Sequence, residues 1–232
     1  MASDSTKPPS TISLRAPSAY LTDKSQPSTT DGGVFVSPPL EWLYRTWSVT
    51  HSTLPMWRSA RNVRITYKPL PTATASEVHI DDLVEYEKAN KSGAYKTVAG
   101  VDKPDPTVPA SWNWRGKGWL KIASSHWEVL GWGEKPLSPS AAAAAAASAE
   151  QQEQQQPAAT VERWVVTWFA ATLFTPEGID IYSDRPEGIS PETLAGVTAA
   201  LNSLESAPKV VEYVAKDLRE IEIQLPWKQG KA

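Results

Sequence analysis

Leu43-Tyr-Arg-Thr-Trp-Ser-Val-Thr-His51 and, about 130 residues later, Asp180-Ile-Tyr-Ser-Asp-Arg-Pro-Glu-Gly-Ile-Ser-Pro-Glu-Thr-Leu194 bracket a single β-rich domain. Between them come further strand signals: Val63 to Tyr67, Ile80 to Glu87, Tyr95 to Val101, Gly118 to Ala123, Trp127 to Trp132 and Arg163 to Phe174. Val63, Ile65 and Tyr67 alternate with Arg64 and Thr66, the pattern of a strand with one buried face. Counting Thr46 to Ser52 and Ile179 to Tyr182, the strands number eight. Eight short strands followed by a helix favour an up-and-down antiparallel barrel, with a β-sandwich as the rival. The helix begins at Ser190, with Pro191 in its first turn, and carries Leu194, Val197, Ala200, Leu201 and Leu204 on one stripe. That stripe needs a partner, and the barrel wall is the nearest one. A second helix at about Pro208 to Leu218 and a last strand, Glu220 to Leu225, follow.

The rest of the 232-residue chain surrounds this domain. Residues 1–36 are rich in Ser, Thr, Pro and Lys and read as a disordered polar tail, too poor in apolar groups to offset the entropy of ordering. The barrel domain spans 37–226, and residues 227–232 form a C-terminal tail. Within the domain, 136–160 is a low-complexity insertion containing the block Ala141 to Ala147 and a glutamine cluster.

Composition removes several classes of function. A net charge of -3 and a pI near 5.7 give no positive field for nucleic acid. Cysteine is absent, which excludes a disulfide framework, a thiolate nucleophile and a sulfur-ligated zinc. The first ten residues lack the apolar run of a signal peptide, and no stretch suits a membrane span, so the expected location is cytoplasmic. The three histidines, His51, His79 and His126, show no metal-binding spacing, and no metal or cofactor is expected. Asp81-Asp82, Asp102 and Asp105 lack the spacing of a calcium loop.

Taken together, the strand order, Trp47 in the first strand and Arg185 after the last resemble a lipocalin, a member of the calycin superfamily, here of an intracellular type. The resemblance implies a fold that is mainly β: an eight-stranded up-and-down antiparallel barrel with a C-terminal helix packed on its wall. It also implies that Trp47 plugs the closed end with Arg185 lying across its indole, both in structural roles. Arg45 stands where the family has a glycine, and the family's middle motif has no counterpart. In a lipocalin the segment after the first strand crosses the mouth. Met56 and Trp57 would then form an apolar lid, and Arg58 and Arg61 would meet an anionic head group.

The function implied is the binding of a small hydrophobic molecule inside the barrel, with Tyr67, Trp127 and Trp168 as wall residues. One alternative is an enzyme of isomerase, cyclase or dehydratase type using the barrel as a reaction chamber. Its acid–base candidates are His126 and Glu128, which share a strand face. A further alternative is a haem carrier, which requires a histidine facing the cavity.

Overall fold

The computed structural model describes residues 11–24, 27–71, 78–90, 93–137, 161–173 and 175–228. Its strands are β1 (Thr46–Ser52), β2 (Ala60–Leu70), β3 (His79–Lys88), β4 (Tyr95–Pro104), β5 (Ser111–Gly116), β6 (Ser124–Pro136), β7 (Val161–Phe169) and β8 (Gly178–Ser183). Each pairs antiparallel with its neighbours in sequence. β1 pairs with both β2, Trp47 opposite Ile65, and β8, Val49 opposite Tyr182, so the sheet closes on itself. Closure gives a barrel and excludes the sandwich; it also leaves no long free edge.

The seam between β1 and β2 is short, covering Thr46 to Ser48 only. Above it β2 is irregular between Arg61 and Arg64, where Asn62 takes a φ of 51°. The gap is filled by the C-terminal segment. Its strand β9 (Arg219–Glu220) pairs with His51 and Ser52, shorter than the strand expected to reach Leu225. The Ile221 N–H then donates to the Thr50 carbonyl at 2.8 Å, and the Gln224 N–H to Asn62 Oδ1 at 2.6 Å. Closure at this end therefore depends on residues distant in sequence from both strands.

The fifth strand is Ser111–Gly116, not Gly118 to Ala123. Gly118 has a φ of 59° and opens a 3-10 turn, which breaks the extended chain, and Trp119 and Ile122 are exposed. Trp112 and Trp114 supply the inward face that the apolar residues after Gly118 had suggested.

Two separate apolar cores result. The inner one fills the barrel, with Trp47, Val49, Ile65, Tyr67, Ile80 and Trp127 among its members. The outer one lies between the barrel and helices α2 (Pro191–Asn202) and α3 (Pro208–Asp217). There Trp164, Val166 and Trp168 of β7 and Ile179 and Ile181 of β8 meet Val197 and Leu201 of α2 and Val210 and Val214 of α3. Ser190 caps α2, its hydroxyl accepting the Thr193 N–H at 3.3 Å.

The amino-terminal region corrects the reading of residues 1–36 as a tail. Leu14 and Arg15 are fully buried, and the Arg15 N–H donates to the Leu130 carbonyl at 2.8 Å. The domain therefore begins well before residue 37. A few apolar positions suffice because Leu14 and Ala16 add to an existing core rather than building their own. Residues 1–10 and 229–232 and all but the first two residues of the insertion lie outside the described residues.

Candidate functional site

Both ends of the barrel are plugged. At one end Trp47 is completely buried and its indole N–H donates to the Leu43 carbonyl at 3.0 Å, anchoring it to the short helix α1 (Leu40–Leu43). The arginine over this indole is Arg45, not Arg185: its guanidinium lies 5.4 Å from the Trp47 ring and 5.3 Å from Trp42. Arg185 instead pairs with Glu187 at 2.5 Å and Glu162 at 3.5 Å. The residue in the glycine position thus supplies the cation that the expected arginine does not. At the other end the turn Pro55–Ser59 crosses the mouth. Trp57 is buried there, its ring 5.6 Å from Tyr86 in an edge-on contact, while Met56 is half exposed.

Between the plugs, Tyr67, Trp127 and Trp112 form a continuous stack. Tyr67 and Trp127 are nearly parallel at 5.4 Å, and Trp127 and Trp112 lie 4.4 Å apart. Strand order, the closed-end tryptophan, the loop across the mouth and the helix on the outer wall are now all in place. The barrel is lipocalin-like. No protein-family model matches the chain, and no curated protein does.

Solved structures with a similar backbone include apocrustacyanin C2, with 8% identity over 79% of this chain and 78% of that one and a TM-score of 0.45. H1 crustacyanin from the lobster Homarus americanus has 9% identity, coverage of 78% and 77%, and a TM-score of 0.45. The siderocalin Ex-FABP has 10% identity, coverage of 82% and 96%, and a TM-score of 0.42. These similarities carry no argument about the ligand of this chain, and its architecture rests on its own strand order and closure.

The lipocalin-like interior is not purely apolar. Three carboxyl groups face into it: Asp82 on β3, Asp102 on β4 and Asp180 on β8, all buried. Asp102 Oδ1 accepts the Trp127 indole N–H at 2.9 Å, but among the described residues Asp102 Oδ2 and Asp82 Oδ1 have no hydrogen-bond partner. Asp180 accepts a very short hydrogen bond from the Ser52 hydroxyl. The Trp57 indole N–H approaches Asp180 without reaching ordinary hydrogen-bond geometry. Likewise Tyr67 and Thr167 approach the Tyr182 hydroxyl, which is left without a partner of ordinary geometry.

Burial dominates the electrostatics of these acids. It pushes Asp82 well above the usual carboxylate range, reinforced by Asp102 and Asp81 and opposed by Lys117, whose own ammonium pairs with Asp81. It pushes Asp102 up to about 7 against the Trp127 N–H, and Asp180 up to about 7 against Ser52 and Trp57.

The residues singled out in the sequence are scattered by the fold. Tyr67 and Trp127 lie in the stack and Trp57 closes the mouth. Trp168 lies in the outer core beneath the helices. Arg58 donates to the backbone carbonyls of Ser52, Thr53 and Asp217, and Arg61 pairs with Glu87 at 3.3 Å, so both are held by protein acceptors.

His126 and Glu128 share a face as expected, but it is the outer one. Glu128 accepts from the Ser18 N–H and hydroxyl and pairs with Arg15, and His126 stands edge-on to Trp168. His51 and His79 are also at outward positions, opposite Ile181 and next to the inward Ile80 respectively, so the interior offers no histidine to haem.

The acids themselves were missed by sequence reasoning. The signal was present: Ile80, Asp82, Val84 and Tyr86 share one parity, which puts a carboxylate among inward apolar residues.

Proposed function

We propose that this protein binds a small, largely hydrophobic molecule inside the barrel. The observation that carries this reading is the enclosed stack of Tyr67, Trp127 and Trp112 beside buried polar atoms that no group among the described residues satisfies. Flat rings give a ligand apolar area and offset stacking, worth about 25 cal/mol per Å² of area removed from water before the entropy cost of association. Unpaired buried groups cost about 1–3 kcal/mol each, so a molecule or water that pairs with them is favoured over an empty interior. Entry requires the Pro55–Ser59 turn to lift Trp57 from the mouth.

Native mass spectrometry of the protein, before and after incubation with a small-molecule extract of its source, tests the proposal. The expected outcome is a retained, stoichiometric mass of a few hundred daltons that quenches tryptophan fluorescence. A protein that retains nothing and changes no component of the extract would overturn it.

One observation favours a second reading, in which the barrel is a reaction chamber. Asp102 and Asp180, pushed up to about 7 by burial, have the proton affinity suited to acid–base work at neutral pH. That reading moves the chemistry from His126 and Glu128 to the inner acids. It is supported if an extract component is converted to a new product and Asp180→Asn abolishes the conversion.

A further inference from the structure

We propose that the barrel selects a small arylalkylamine, whose ring joins the Tyr67, Trp127 and Trp112 stack and whose ammonium group sits among Asp82, Asp102 and the Tyr182 hydroxyl. The inference rests on the binding reading above and names the ligand class for that same interior.

The geometry argues for a cation in three steps. First, the sign of the interior is uncompensated. Other buried carboxylates of the chain have cationic partners, Glu128 with Arg15 at 3.0 Å and Glu162 with Arg185 at 3.5 Å. Among the described residues, none of the three inner acids forms an ion pair with a lysine, arginine or histidine. Burying a carboxylate without a partner is costly, so either protons or a ligand cation must complete the interior.

Second, the open hydrogen-bonding positions match an ammonium group. Such a group is donor-only, with three N–H bonds to place. Asp82 Oδ1 and Asp102 Oδ2 are free acceptors, and the buried Tyr182 hydroxyl, which feels both Asp180 and Asp82, can accept as well. The Trp112 indole N–H, also buried and unpartnered, would take an acceptor elsewhere on the ligand, such as a hydroxyl or ring nitrogen.

Third, the walls nearest the acids are aromatic faces. Asp82 lies opposite Gly100 and Asp102 opposite Trp114. A side-chain carbon at Gly100 would come within 2.0 Å of the Trp114 indole nitrogen, so the glycine is what lets that ring approach the strand that carries Asp102, at the residue opposite Asp82. An indole face next to carboxylates attracts a cation and repels an anion. The alternatives fare worse. A carboxylate ligand would meet two acids, and a hydrocarbon would leave every free acceptor unsatisfied.

The test is calorimetric titration of the full-length protein at pH 7 with tryptamine and phenethylamine. Each is compared with its isosteric acid, indole-3-propionate or 3-phenylpropionate, and with the neutral 3-propylindole. The expected result is that at least one amine binds, at least tenfold more tightly than its acid and the neutral compound. Asp82→Asn and Asp102→Asn should each weaken that amine about tenfold or more, as expected when a hydrogen bond to a charged group is lost. Both variants keep the shape of the side chain, near-UV circular dichroism confirms their packing, and Asp105→Asn on an outer loop serves as a control that leaves affinity unchanged.

If 3-propylindole binds as tightly as tryptamine, or the two asparagine variants bind the amine normally, the amine proposal fails while the binding reading stands. Preference for the acids over the amines has the same meaning. If none of the probes binds, the amine proposal fails, and the extract experiment decides the binding reading independently.

Discussion

The two sides of the barrel wall bury charge in opposite ways. On the outer side, beneath the N-terminal segment and the helices, the buried ionic groups Arg15, Glu128, Glu162 and Arg185 each have a partner of opposite charge. Arg15 pairs with Glu128 and also donates to the carbonyls of Val129 at 2.9 Å and Pro109 at 3.0 Å. Glu162 accepts from the Ser190 N–H and hydroxyl and from Thr193 while it pairs with Arg185. On the inner side, Asp82, Asp102 and Asp180 have few donors and, among the described residues, no cation. Charge that fastens one element to another is paired within the chain, and charge left unpaired in a closed space is available to something that enters. The contrast sets the outer network, which ties elements together, apart from the inner one, which is the candidate site.

The largest effect is expected from breaking the outer network. Glu128→Ala leaves the fully buried Arg15 guanidinium without its carboxylate, a change that costs about 3–5 kcal/mol where a buried pair loses one partner. Urea denaturation should show that loss, and limited proteolysis should cut the N-terminal segment near Arg15, where the wild-type chain resists. A variant with unchanged midpoint and protease resistance would remove the structural reading of this clamp.

The inner acids should respond with the opposite sign. Their folded-state pKa values lie above those of the unfolded chain, so between about pH 4 and about pH 7 the folded state holds the extra protons and stability falls as pH rises. Asp102→Asn removes one of these titrations and keeps an acceptor for the Trp127 N–H. The expected outcome is a denaturation midpoint higher than wild type at pH 8 and close to it at pH 4. A variant less stable at pH 8 would mean that the carboxylate is paired in solution and that the two sides of the wall do not differ as described.

The same asymmetry explains what could be read from the sequence. The eight strands, the closed end at Trp47 and the capped helix at Ser190 were visible because each is a local pattern. Which face of β7 points inward was not, since Trp164-Val-Val-Thr-Trp-Phe is buried on both sides, against the stack within and the helices outside. That is why Trp168 was placed with Trp127 although they lie on opposite sides of the wall. Arg15 and Glu128 are 113 residues apart and no local pattern joins them. The exchange of Arg45 for Arg185 escaped for a related reason. Trp42, the second ring beneath Arg45, comes from α1 and is brought to Trp47 by tertiary packing, at 5.2 Å. The inner acids were obscured by the Asp81-Asp82 doublet, which hides the parity of β3.

The smallest expected effect sharpens the comparison most finely. His126 lies on the outer face, about a quarter exposed, with its Nε2 3.2 Å from Glu128 and its Nδ1 3.0 Å from the side-chain Oδ1 of Asn113. Burial alone would raise the Glu128 carboxyl; His126, Arg15 and Ser18 together outweigh burial and hold it below the usual range. A depressed carboxylate stabilises the fold above its unfolded-state pKa, and that contribution is lost as pH falls through the folded-state value. His126→Ala removes one of the three supports and leaves Arg15 and Ser18 in place. The loss at pH 7 should be about 0.5 kcal/mol, as for a partly exposed hydrogen bond. The acid-unfolding midpoint should move to higher pH, because Glu128 takes up its proton sooner. Binding inside the barrel should not change, since the side chain lies on the far side of the wall from Asp102 and Asp180. A loss of ligand affinity in His126→Ala, with the fold intact, would show that the outer network reaches the interior and that the wall does not separate the two roles.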